Sequence, residues 1–75
     1  MLTVTQCKMA RAALGWGVRD LALAAGVSAN TVVRFENGRV AANQATLTVI
    51  RLAFEKAGIR FTADGGVAPP YNSER

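Results

Sequence analysis

Asn30 and Arg34, about one helical turn apart in the segment SANTVVRFENGR, carry the side-chain chemistry that stands out in this chain. Each can hold a planar polar partner through two parallel hydrogen bonds. Asn offers one donor and one acceptor, and Arg offers a fork of donors. Catalysis is not expected beside them. The chain has no His and one cysteine, Cys7, which excludes a Cys/His zinc site, an internal disulfide and an imidazole-assisted nucleophile. Its five acids, Asp20, Glu36, Glu55, Asp64 and Glu74, form no metal-binding or glycosidase pairing. No enzyme, metal or cofactor is therefore expected, and Cys7 reads as a small apolar residue under the first helix.

The elements that must position Asn30 and Arg34 show in residues 18–35, VRDLALAAGVSANTVVRF. Ala22 falls where two helices cross closely, so a bulkier side chain would push them apart. Gly26, four residues on, falls at a sharp bend that suits positive φ. Val32, six residues further, points back at Ala22, with Leu21, Ala25, Val27 and Phe35 filling the same wedge. These are the offsets of a helix-turn-helix. An ordinary αα-hairpin would share the Gly and the Leu, but would not need Ala22 and Val32 as well.

Capping signals set the helix starts. Thr3 and Gln6 form a T-x-x-Q capping box, with Leu2 stapled onto Cys7, and predict a first helix over about residues 4–14, ending at Gly15. Trp16 and Leu21 repeat the staple around Gly17, a weak cap, with Asp20 favourable in the first turn of the second helix. Ser28 caps the third helix, and Asn43 the fourth, which ends at Gly58. At about 100° per residue, Thr31, Val32 and Phe35 share the packing face of the third helix. Ala29, Asn30, Val33, Arg34 and Asn37 share the other, which is open to a partner. In the fourth helix Leu47, Ile50, Phe54 and Ala57 form the core stripe. Val49, Leu52 and Lys56 face away and hint at a second contact surface.

After Gly58 the period changes to two. Ile59, Phe61 and Ala63 alternate with Arg60 and Thr62, which reads as a short strand ended by Asp64-Gly65-Gly66. A lone strand needs a partner for its backbone groups, either residues 67–71 or the same strand of a second subunit. The organisation expected is a domain over 1–58, a strand extension over 59–67 and a disordered Pro-rich tail over 68–75. One small domain of 75 residues with a formal charge of +4 favours an anionic partner, although charge alone does not select it. Lys8 and Arg11 interrupt the N-terminal apolar run, so neither a signal peptide nor a membrane span is expected, and a cytoplasmic address follows.

With these residues laid out, residues 3–57 resemble the Xre family of bacterial and phage regulators, which includes the Cro and lambda-repressor type of DNA-binding domain. The resemblance is carried by MARAALGWGVRDLALAAGVSANTVVRFENGR. It implies an all-α, four-helix, lambda-repressor-like helix-turn-helix domain, here with a short C-terminal β-strand, binding double-stranded operator DNA as a homodimer. Arg11 and Glu36 match a pair that typically bridges the first and third helices. Glu36-Asn37-Gly38-Arg39 matches the loop that approaches the phosphate backbone. Where relatives commonly carry Ser-Gln at the start of the second helix, this chain has Gly17-Val18, so only backbone N–H groups remain for a phosphate there. The loop Val40-Ala41-Ala42 lacks the basic character common after the third helix. The strand-like Ile59–Ala63 stands in place of a fifth helix of longer relatives.

The resulting expectation is a sequence-specific DNA-binding transcriptional regulator, a repressor, reading the major groove with its third helix. Ala29, Asn30, Val33 and Arg34 would meet base edges. Arg11, Arg19, Asn37 and Arg39, with the backbone of Gly17 and Val18, would meet phosphates. Val49, Leu52, Ile59 and Phe61 are the candidate dimer contacts, and a small-molecule effector is not expected. The alternative is a protein-interaction or antitoxin-like module in which DNA binding is secondary.

Overall fold

The computed structural model describes residues 2–38 and 43–69. Four helices come first: α1 over Val4–Leu14, α2 over Val18–Ala25, α3 over Ala29–Glu36 and α4 over Gln44–Lys56. Two short antiparallel strands follow, β1 over Arg60–Phe61 and β2 over Val67–Ala68, with Arg60 opposite Ala68 and Phe61 opposite Val67.

Local chemistry accounts for the helix starts. The Thr3 hydroxyl accepts from the Gln6 amide at 3.0 Å, and the Gln6 carboxamide accepts from the Thr3 amide at 3.0 Å. Two of the free N–H groups at the start of α1 are satisfied this way. Ser28 and Asn43 cap α3 and α4 by accepting from Thr31 and Thr46. At the bend between α2 and α3, Gly26 adopts φ +73°, and its amide donates to the Ala22 carbonyl at 2.9 Å. Any residue with a Cβ would be strained in that conformation.

α2 packs against α3 and α4, while α1 packs against α3 and β2. Ala22 and Val32 are buried at the α2–α3 crossing, beside Leu21 and Phe35. The small side chain at 22 is what lets the two helices approach. From α4 the core receives Leu47, Ile50, Ala53 and Phe54. Ala53 takes the place expected of Ala57, which instead forms the half-buried C-cap of a helix ending two residues before Gly58.

The C-terminal segment differs most from expectation. Only residues 60 and 61 of the expected strand are extended, because the Thr62 amide already donates to the Gly66 carbonyl and starts the turn. The strand pairs within the chain, and β2 runs into Ala68, the first residue of the expected tail. Ile59, expected on a dimer surface, is 2% exposed and belongs to the core. Phe61 is half-buried and meets Phe54 edge-on at 6.2 Å. Phe54 also stacks on Trp16 at 5.8 Å, so one ring ties the loop before α2 to the hairpin. The hydrophobic core thus continues past Gly58. Among the described residues no helix is long and apolar enough to cross a membrane.

Candidate nucleic-acid interface

The amphipathic character of α3 sets up the site. Val32 and Phe35 are buried against α2, and Thr31 is half-buried. On the opposite side Asn30, Arg34 and Asn37 are exposed, and Val33 is 41% exposed. Ala29 is half-buried and leans on the core, so it offers less of its surface than its neighbours. Asn30 lies in the first turn of α3 and Arg34 in the last, where a cation also suits the helix dipole. This is a polar, cationic face on a rigid element whose other face is locked by packing.

At the start of α2 the Gly17 amide donates to the Asp20 carboxylate at 2.8 Å. That N–H, expected to face a phosphate, is already used. The signal was present in the sequence as an acid three residues after the cap. The amides of Val18 and Arg19 and the exposed Arg19 side chain remain at this helix end. Asn37 serves as the C-cap of α3, with its amide on the Val33 carbonyl at 2.9 Å. Arg39 and the Val40-Ala41-Ala42 loop lie outside the described residues.

Behind this face sits a buried polar cluster. Arg11 grips Glu36 with two bonds, Nε to Oε2 at 2.8 Å and Nη2 to Oε1 at 2.7 Å. Its Nη1 donates to the Trp16 carbonyl at 3.1 Å. One guanidinium therefore joins α1, the loop entering α2 and the end of α3. Three of its five N–H groups are engaged and its side chain is only 21% exposed, so little of it is free for a phosphate. Cys7 is a fourth member that sequence reasoning missed: its thiol donates to Glu36 Oε2 at 3.0 Å. Burial pushes the Cys7 thiol well above the usual thiol range, and the hydrogen bond to Glu36 adds to that, so it stays protonated and unreactive.

Burial pushes the Glu36 carboxyl upward. Hydrogen bonds from Arg11 and Cys7 and the nearby charges of Arg11 and Lys8 outweigh it and hold Glu36 below its ordinary value. A carboxyl depressed in the folded state binds fewer protons there than in the unfolded chain. Its contribution is present above the ordinary carboxylate range and is lost as pH falls through that range and below it. Denaturant titrations of the wild type and Glu36→Gln across that window should show the stability gap closing as pH falls. A gap independent of pH would rule out this role. Asp64, also held below its ordinary value by the Thr62 hydroxyl and the Gly66 amide, titrates alike in both proteins and drops out of the comparison.

Compared with known protein families, residues 8–58 match the family model described as Helix-turn-helix. No curated protein and no solved structure gives a significant match.

Proposed function

This chain belongs to that helix-turn-helix family, of the Xre or lambda-repressor-like kind, whose domains bind DNA in transcription regulation, and on that premise we propose that α3 reads an operator from the major groove. The observation that carries this reading is the exposed Asn30–Arg34 face, backed by the buried Val32–Phe35 face of the same helix. Asn30 and Arg34 read base edges, and Val33, with the smaller contribution of Ala29, touches thymine methyls or lets the helix approach closely. Arg19, Asn37 and Arg39, with the Val18 and Arg19 amides, meet phosphates and set the register. Arg11 and Gly17 contribute through the geometry they hold rather than through direct contact. Repression needs no more than occupancy of the operator. Selection of bound sequences from random duplex DNA tests the reading: enrichment of a two-fold related motif supports it, and no enrichment overturns it.

Binding should be salt-sensitive, because each phosphate neutralised contributes roughly 0.9 to the slope of log K against log salt. Arg19→Ala is expected to weaken binding to all sequences alike and to flatten that slope by about one. An affinity unchanged between low and moderate salt would contradict phosphate contact altogether.

The active form is a homodimer in this reading. Ile59 is committed to the core, so the dimer rests on the outer side of α4, where Val49 and Leu52 are 37% and 51% exposed and three residues apart. Two-fold pairing would set two α3 helices about 34 Å apart, one turn of DNA, or a multiple of it. Sedimentation at micromolar concentration should give a dimer for the wild type and a monomer for Leu52→Glu. A monomer for both removes the dimer.

A further inference from the structure

We propose that the cavity between the start of α1, α4 and the β1–β2 turn is a binding site for a small organic monocarboxylate. Its volume of about 410 Å³ falls within the range of small-molecule sites. Leu2 and Phe61 supply apolar walls, and Thr3, Gln6, Arg51 and Thr62 supply polar groups. This combination of apolar surface and a few convergent polar atoms suits a ligand with a flat or aliphatic body and one charged head.

Gln6 makes the cavity more than a surface dent. It is 94% buried, since only 6% of it is exposed, yet it lines the opening. The Thr3 amide holds its Oε1 at 3.0 Å, which fixes the Nε2 end of the carboxamide. That nitrogen has two hydrogens. One reaches the Gly66 carbonyl at 3.4 Å, a long contact, and the other has no acceptor among the described residues. That second hydrogen is the donor Gln6 can offer to an acceptor in the cavity. Arg51 supplies the charge. Its guanidinium carbon lies 5.9 Å from the centre of the Phe61 ring, and it holds Glu55 at 3.0 Å in an exposed pair one turn along α4. Exposed pairs of this kind are weak, so the guanidinium can turn to a bound anion.

The neighbouring acids narrow the ligand class. Glu55 on Arg51 and Asp64 on Thr62 both stand near the rim, while the first turn of α1 carries no acid. Among the described residues the rim carries two carboxylates and one cation, so each added negative charge is opposed and a dianion more than a monoanion, which favours a monocarboxylate over a phosphate dianion. A site built from α1, α4 and the hairpin runs against the expectation of no small-molecule effector, and it stands independently of the DNA reading.

The test is an NMR titration of the isotope-labelled full chain with benzoate, benzamide and inorganic phosphate. Benzoate should give saturable shifts at the amides of Thr3, Gln6, Phe61, Thr62 and Gly65, with a Kd of about 1 mM or below. Benzamide, the neutral match in shape, and phosphate should each bind about tenfold more weakly. Arg51→Gln, a change at a half-exposed position that leaves the core intact, should raise the benzoate Kd by about tenfold. Absent or unsaturable shifts overturn the site. Equal binding of benzamide, or an unchanged Kd in Arg51→Gln, overturns its anionic character, and phosphate binding as tight as benzoate overturns the monocarboxylate assignment.

Discussion

Arg11→Ala is expected to destabilise the protein by about 3 kcal/mol, because it strands a carboxylate inside the fold. The Glu36 side chain is only 6% exposed, and both of its oxygens accept from Arg11. Without the guanidinium, the Cys7 thiol is the one donor left to it among the described residues. An exposed pair would contribute 0.2–1 kcal/mol, and the fork geometry and burial place this one well above it. Against a total of about 5 kcal/mol for so small a domain, such a loss consumes most of the stability, so denaturation is best followed in a stabilising osmolyte. A double-mutant cycle with Glu36→Ala should return a coupling of about 2 kcal/mol, with the double variant more stable than Arg11→Ala predicts by simple addition. Zero coupling would reduce Arg11 and Glu36 to independent side chains. The loss should also reach the proposed DNA-binding face, since Arg11 Nη1 holds the Trp16 carbonyl beside the start of α2.

Asn30→Ala should cost about 1–3 kcal/mol on the selected operator and relax preference at one base pair in each half-site. Asn30 is exposed in the first turn of α3, and its removal touches no core contact, so stability should stay within about 0.5 kcal/mol of wild type. Arg34 gives the contrasting case. If it pairs with guanine, Arg34→Ala changes sequence preference. If it reaches a phosphate instead, affinity falls evenly across all sequences and the salt slope drops by about one. Competition binding of both variants against a panel of single-base operator changes separates the two. Retention of the wild-type preference by both variants would show that α3 is not the reader.

Most of the local architecture was legible in the chain itself. Thr3 with Gln6, Ser28 and Asn43 start their helices as written, and Gly26 takes the positive φ its place in the bend requires. These are decisions made within four residues, by hydrogen bonds and backbone sterics that need no distant partner. The two faces of α3 are legible for a related reason: the 3.6-residue period converts spacing directly into sidedness. Even the use of the Gly17 amide was written three residues on, in Asp20.

What only the tertiary structure decided involves partners far apart in the chain. Nothing about Cys7 announces a thiol donated to a carboxylate 29 residues later, and apolar periodicity treats Cys as a hydrophobe. Trp16 on Phe54, Ile59 inside the core and β1 turned back on β2 are likewise choices among apolar or extended segments that local pattern scores alike. The strand needed a partner, but whether that partner was the same chain or a second one depended on where the Thr62–Gly66 turn sent it. The cavity beside Gln6 exists because three elements meet without filling the space between them. Sequence period sets which face of an element is buried, whereas shape complementarity among elements sets what that face meets and what is left open.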